Sequence, residues 1–252
     1  MDKIFEIYRY LPLFPKEEEE YFTFLRAEIE GAYSASAFQS AYLTAHMLFM
    51  YYIYNCVWKI KQAFEDRYYY GIVGFPKYNG SSSVDLRELN SLFDLSLIAE
   101  KTIFGIFQIV DIDNSLIIQL KRSVDTRNNI AHSTGQISFP SEESFIEGLN
   151  KIIRLCERIH KEIEQKVIRP CYESFLLDNK SEDFWEYPIA EDQISEGLIR
   201  EFKLSELEMK TCNEFGVSKF SDKEKYNLSA AEIETIRNLH AMMIEISESY
   251  LS

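Results

Sequence analysis

The feature that most constrains this chain is the segment Gly31–Trp58, which contains 28 residues and no Asp, Glu, Lys or Arg. A run of about 20 apolar residues is long enough to span a bilayer as a helix. This run, however, also carries polar side chains such as Gln39 and Asn55, which disfavour insertion into lipid. It therefore predicts the central helix of a bundle, buried on most sides and continuing to about Tyr70. A membrane-associated effector that uses the same segment is the alternative.

The composition favours long helices over a sheet. The 252 residues include only nine Gly and six Pro, whereas 46% are hydrophobic, so a sizeable core can form with few tight turns. The four cysteines have neither disulfide nor zinc-site spacing and are expected to be reduced core thiols. No signal-peptide pattern is present at the N-terminus. We expect an all-α cytoplasmic protein without stable membrane association.

Turn-forming residues suggest how the helices are divided. The sequence predicts a helical bundle over residues 1–180, interrupted by a long loop at residues 71–84, and a small acidic helical region over residues 181–252. A long amphipathic helix is expected at residues 142–167 and is predicted to end at Pro170. The stretch after it, residues 172–190, is predicted to be an irregular linker. Capping boxes at Ser205–Glu208 and Ser229–Glu232 predict two helix starts in the acidic region.

The charge is strongly acidic but unevenly distributed. The net charge is −14, which argues against a protein that coats nucleic acid generally. Residues 171–252 contribute 8 basic and 18 acidic side chains, so most of the acidity is C-terminal. Residues 151–169 have the opposite bias, with six basic side chains and three acidic ones. This distribution is compatible with a localised groove for RNA, and a solvated helix face explains it equally well.

A second helix carries the candidate chemistry. Asp113 can cap a helix that begins at Asn114. An apolar stripe at helical spacing follows and predicts packing against neighbouring helices: Ile117, Leu120, Val124 and Ala131. Arg127 falls near this stripe, where a solvated charge is not expected, and is followed by Asn128 and His132. Ser133, Thr134 and Gly135 are a plausible end for the helix.

The sequence R-N-x-x-A-H at residues 127–132 resembles one form of the RX4–6H motif of HEPN domains. These all-helical, commonly dimeric domains include many metal-independent ribonucleases of toxin–antitoxin, CRISPR and abortive-infection systems. The resemblance implies catalytic roles for Arg127 and His132, with Asn128 at the family's frequent Asn. Some members carry Tyr two residues after the His, whereas this chain has Thr134 there, so functions tied to that Tyr are not implied.

The residue types suit RNA cleavage independently of the resemblance. The 2′-hydroxyl of RNA can attack the adjacent phosphate if a group moves its proton and another holds the developing negative charge. His132 suits acid–base catalysis near neutral pH, and Arg127 offers a permanent charge with phosphate-matching geometry. Asn128 can orient either the imidazole or the phosphate. Glu100, within an apolar run from Leu92 to Val110, is expected to pair with the site's Arg, although it can also point outward.

The spacing also bears on oligomeric state. His132 lies five positions after Arg127, so on one unbroken helix their side chains diverge by roughly 140°. Either the helix ends near His132 or a two-fold axis brings a second copy of each residue into one groove. We predict a homodimer with the motif at its interface, where Lys121 and Arg122 add RNA-binding charge.

The predicted function is therefore a metal-independent endoribonuclease, acting as a toxin or antiphage defence effector, that requires no cofactor. Its partners would be RNA, a second copy of the chain and an antitoxin or regulatory protein. The defence role follows only from the resemblance. The alternative is a non-catalytic HEPN-like module that binds a nucleotide or a protein in the same groove.

Overall fold

The chain is all-α in the parts that the structure describes. The structure is a computed structural model that describes residues 6–13, 18–73, 86–132 and 137–251. Within these ranges the only extended pairing is an isolated bridge between Pro12 and Ser205. The predicted fold class is confirmed. Of the loop expected at residues 71–84, Gly71 is the last residue of a helix and residues 74–84 lie outside the described residues, as does the helix end expected at residues 133–135.

The chain forms two compact units, and the first contains the motif. This unit comprises residues 1–11 and 15–162, so its boundary falls after Glu162, whereas the sequence prediction placed it near residue 180. Its α-helices are α1 (Glu19–Ser34), α2 (Phe38–Ala63), α3 (Glu65–Gly71), α4 (Glu100–Ile103), α5 (Asn114–Ala131) and α6 (Glu142–Ile163). Short 3₁₀ helices lie at Leu86–Glu88, Leu92–Leu97 and Phe104–Val110.

The uncharged segment contains a break that the sequence prediction missed. The segment begins inside α1, which ends at Ser34. Ser36 then adopts a left-handed conformation with φ 58°, and α2 begins at Phe38. From there the predicted core helix is confirmed, because most residues of α2 from Ala41 to Ile60 are buried. It ends at Ala63 rather than near Tyr70. None of the helices in the described ranges combines the length and apolar character needed to cross a membrane.

The motif helix α5 begins where the sequence predicted. The Asp113 carboxylate accepts a hydrogen bond from the Ser115 backbone N–H at 3.1 Å, which caps the helix. Ile117, Leu120 and Val124 of the predicted stripe are buried. Ala131, also predicted to be buried, is exposed, and Ile130 is buried instead. The apolar face shifts at the last turn because the helix ends there.

The second unit comprises residues 12–14 and 163–252. A π-helical segment at Glu164–Ile168 leads into α7 (Arg169–Asp178), followed by α8 (Ala190–Ile194), a π-helical segment (Ser195–Arg200), α9 (Glu206–Asn213), α10 (Lys223–Tyr226) and α11 (Ala230–Leu251). The predicted capping boxes are confirmed, since Ser205 and Glu208, and likewise Ser229 and Glu232, exchange side-chain and backbone hydrogen bonds.

The prediction that Pro170 ends a helix was wrong. Pro170 lies in the first turn of α7, where a helix needs no backbone N–H donor and the fixed φ of proline is suitable. Residues 172–178, predicted to be irregular, are therefore helical. The remaining connection to α8 contains one 3₁₀ turn, at Glu182–Phe184.

The core of the first unit should depend on the buried face of α5. Leu120→Ala is expected to lower the free energy of unfolding by about 2–5 kcal/mol, because Leu120 is fully buried. Ile118→Ala, on the same helix but half exposed, should change it by less than about 1 kcal/mol. Urea denaturation followed by far-UV circular dichroism measures both. Equal losses would show that the described burial of α5 is wrong.

Candidate functional site

Arg127 is held in place by a carboxylate from another helix. One of its terminal nitrogens, Nη2, lies 2.6 Å from Oε1 of Glu100, the first residue of α4, and the two side chains are 29% and 22% exposed. The expected pairing of Glu100 with the site's Arg is thus confirmed. A second ion pair between the same two helices joins Lys101 to Asp125. Arg127 therefore sits near the apolar stripe of α5 because its charge is matched there.

His46 completes a three-residue cluster that the sequence did not predict. Its Nε2 lies 3.4 Å from Oε2 of Glu100, and it is 1% exposed on α2. His46 belongs to the uncharged segment that the sequence predicted to be a buried helix, but it lies 54 positions before Glu100, so no spacing pattern indicated the contact. Burial would raise the pKa of the Glu100 carboxyl, but hydrogen bonds and positive charge from His46 and Arg127 outweigh it, and the pKa is lowered.

The other two motif residues lie at the end of α5. His132 is exposed and is the C-cap residue, with its backbone N–H donating to the Asn128 carbonyl at 2.9 Å. Asn128 is half-buried. The end of the helix is held by α2, because the Gln39 side chain donates to the Ile130 carbonyl at 3.3 Å. That bond satisfies one of the carbonyl groups that a helix C-terminus leaves without an intrahelical partner.

The structure does not bring Arg127 and His132 into contact within the described part of one chain. The backbone of His132 departs from helical geometry mainly at ψ, which is 149°, whereas φ is −91°. Its own Cα and the start of its side chain keep nearly the direction set by α5. The divergence calculated for an ideal helix therefore persists, with Arg127 turned toward Glu100 and His132 toward solvent.

A basic groove lies between α5 and α6. This cavity of about 620 Å³ is lined by four cationic side chains: Arg122, Lys151, Arg154 and Arg158. Hydroxyl groups of Ser123 and Thr126 also line it. The opposing carboxylate, Glu147, pairs with Lys151 at 2.9 Å. Three of the six basic side chains of residues 151–169 thus line a groove beside the motif helix.

The two predicted RNA-binding residues differ in position. Arg122 lines the basic groove, whereas Lys121 is exposed on α5 and does not line it. The sequence placed both near the motif, but adjacent residues on a helix point about 100° apart. Lys151, Arg154 and Arg158 were noted only as a basic helix face, and only the packing of α6 beside α5 makes them one surface with Arg122.

The residues that the structure describes contain no group of three or more His, Cys, Asp or Glu side chains placed to hold a metal ion. Comparison of the chain with known protein families, curated proteins and solved structures finds no match. Any assignment of function therefore depends on the motif and on the geometry around it.

Glu100 should stabilise the fold in a pH-dependent way. Because its pKa is lowered on folding, its contribution is present above the ordinary value of 4.5 and is lost as the pH falls through the lower, folded-state pKa. We expect Glu100→Gln to cost about 1–3 kcal/mol at pH 7, since Arg127 loses its counter-charge. The difference from the wild type should shrink as the pH falls through the lowered, folded-state pKa of Glu100.

The control is Glu147→Gln, which removes an exposed carboxylate paired with Lys151. Surface pairs contribute little, so this variant should show a much smaller change at pH 7. Urea denaturation at pH 3 to 8 provides the measurement. A Glu100→Gln effect that does not depend on pH would mean that the Glu100 charge does not stabilise Arg127.

Proposed function

We propose that the protein is a metal-independent endoribonuclease of the HEPN type. The observation that carries the proposal is the arrangement at the end of α5. Arg127 is anchored there by Glu100 at 2.6 Å, and the exposed His132 follows the last helical residue. An anchored guanidinium and an accessible imidazole are the two groups that cleavage by the RNA 2′-hydroxyl requires. The all-helical fold agrees with the resemblance.

The roles follow from the chemistry of each side chain. His132 accepts the proton of the 2′-hydroxyl as this oxygen attacks the adjacent phosphorus. The phosphorus–5′-oxygen bond then breaks, the 5′-oxygen takes a proton from a general acid, and a 2′,3′-cyclic phosphate remains. Arg127 has five N–H donors, so it can bind a phosphate oxygen while Glu100 holds it. Asn128 would orient the imidazole or the phosphate.

The basic groove supports RNA as the substrate. Its four cationic side chains form a local positive surface on a chain whose net charge is −14. Phosphate contacts of this kind supply affinity without base specificity. Arg122 would bind the backbone inside the groove, with Lys121 contributing from the exposed side of α5.

We further propose that two copies of the chain form the active unit. In one chain Arg127 faces Glu100 and His132 faces solvent, so a two-fold arrangement is the simplest way to place both against one phosphate. A second His132 would also supply the general acid for the leaving oxygen. The toxin or defence role, the cytoplasmic location and a regulatory partner remain expectations from the sequence.

One observation favours the alternative function. The charge of Arg127 is already balanced by Glu100, as expected if the motif stabilises a module that binds a nucleotide or a protein without cleavage. In that case the wild-type protein would bind its ligand without cleaving RNA, and His132→Ala would cause no change in RNA cleavage.

Cleavage should not require a divalent metal ion. Purified protein incubated with total RNA in EDTA is expected to leave 2′,3′-cyclic or 3′-phosphate ends, identified by end-labelling and mass spectrometry. His132→Ala should reduce the rate about 10²- to 10⁴-fold, the usual contribution of a general acid–base group. Dependence on Mg²⁺, or 5′-phosphate ends, would contradict the assigned roles.

The matched control is Ile118→Ala, which changes an exposed residue of the same helix and should keep wild-type activity. Circular dichroism of both variants tests whether the fold is intact. If His132→Ala unfolds and its folded fraction cuts RNA at the wild-type rate, His132 is structural and the proposal fails.

A shared site can be tested by mixing two inactive variants. Arg127→Ala and His132→Ala are each expected to be inactive, whereas their mixture should regain part of the activity. In the mixed dimer one groove receives Arg127 from one chain and His132 from the other. Subunit exchange is verified by native mass spectrometry. A monomer with full activity at nanomolar concentration would rule the dimer out.

A further inference from the structure

A second cavity in the first unit lies directly beside the Arg127 cluster. It has a volume of about 500 Å³, within the roughly 300–1,000 Å³ range of small-molecule sites. Four aromatic rings line it, those of Tyr21, Tyr51, Tyr54 and Phe93. Glu100, which pairs with Arg127, also lines it. We call this cavity the aromatic pocket.

The Phe93 ring gives the aromatic pocket a flat, partly exposed surface for a planar group, whereas the Tyr51 ring beside it is buried. The Phe93 ring lies nearly parallel to Tyr51, at 6.4 Å between centroids and 25° between planes. Tyr21 meets Phe93 edge-on, with centroids 5.0 Å apart. Tyr21 and Phe93 are only half-buried, and Met47 beside them is 44% exposed. A planar ring can therefore reach the pocket from solvent and stack there.

The Glu100 carboxylate supplies hydrogen-bond acceptors to the pocket. Each Glu100 oxygen has one neighbour among these side chains, Arg127 at Oε1 or His46 at Oε2. A carboxylate offers about four lone-pair positions, so each oxygen can accept one more bond. A bound molecule that donates two hydrogen bonds would use the remaining acceptor position of each Glu100 oxygen.

A cation is a poor match for this pocket, although aromatic rings with a carboxylate often bind one. The Glu100 charge is already balanced by Arg127 at 2.6 Å, so a second cation would be repelled by the guanidinium. A neutral ring with N–H donors meets no such repulsion. The flat faces and the acceptor pair together favour a nucleobase over an organic cation.

The acceptor pair distinguishes between the bases. Guanine presents two adjacent donors, N1–H and the 2-amino group, which match the two oxygens of a carboxylate. Uracil has one N–H between two carbonyl groups that a carboxylate repels. Adenine and cytosine each place a single amino donor beside a ring nitrogen acceptor. We propose that the aromatic pocket binds a guanine base, with its Watson–Crick edge on Glu100 and its ring against Phe93.

For the ribonuclease this would place a guanine next to the cleaved phosphate, since Glu100 touches both the pocket and Arg127. The inference that RNA is cut next to a guanine rests on the proposed function. Binding of the base does not, because it needs neither His132 nor cleavage. The two can therefore fail separately.

The direct test is calorimetric titration of the wild-type protein with 5′-GMP, 5′-IMP and 5′-UMP. IMP differs from GMP only by lacking the 2-amino group, so it is the matched control. We expect GMP to bind at least tenfold more tightly than IMP, and UMP to bind more weakly still. Equal affinity for the three nucleotides, or tighter binding of choline than of GMP, would overturn the proposal.

Substitutions test whether GMP binds in the aromatic pocket or in the basic groove. Phe93→Leu removes a stacking face and should weaken GMP binding roughly 5- to 100-fold. Phe139→Leu changes an aromatic residue of the basic groove and should leave GMP affinity unchanged. Glu100→Gln should reduce GMP affinity to the level of IMP. An equal loss with Phe139→Leu would move the nucleotide to the basic groove and overturn the assignment to the aromatic pocket.

RNA cleavage separates this inference from the function. Cuts without guanine preference, together with no selective GMP binding, would leave the ribonuclease standing and reject the guanine pocket. Selective GMP binding without cleavage in any condition would keep the pocket and reject the ribonuclease.

Discussion

The contact between Glu100 and Arg127 is the interaction on which the site depends. It joins α4 to α5 in the first unit and makes it possible for a cation to lie beside the apolar stripe of the motif helix. A half-buried guanidinium without a counter-charge would be expensive to desolvate. The same carboxylate contacts the buried His46. One side chain thus couples the motif to the central helix α2.

The pairing has opposite consequences for stability and for chemistry. It restricts the guanidinium to one position, which lowers the entropy lost when a phosphate binds. It also balances the charge that would attract that phosphate. The unbalanced positive charge lies instead in the groove between α5 and α6, where Arg122 faces Lys151, Arg154 and Arg158. Positioning and attraction are therefore assigned to different parts of the same unit.

Glu100 also connects the two places proposed to contact RNA, which are the Arg127 side chain and the aromatic pocket. On one side it holds Arg127, and on the other it lines the aromatic pocket beside Tyr51 and Phe93. A ligand in the pocket would compete for, or share, the same oxygens as the guanidinium. Binding of a base could thereby change the position of Arg127, a coupling that needs no movement of a helix.

The sequence alone determined the fold class and the start of several helices. The low Gly and Pro content established the all-α class, the uncharged run predicted a buried helix, and Asp113, Ser205 and Ser229 identified helix starts, because capping is a local interaction. It misjudged Pro170, since a proline can open a helix as readily as end one. The contact between Glu100 and Arg127 was anticipated from burial, because an inward charge requires a partner.

Only the tertiary structure decided which distant residues meet. His46 lies 54 positions before Glu100, and the aromatic pocket draws Tyr21, Tyr51 and Phe93 from separate elements. Likewise, Arg122 and the basic face of α6 form one groove only because α5 and α6 pack together. Helical periodicity gives the face of each residue along its own helix, but it carries no information on the neighbour that this face meets.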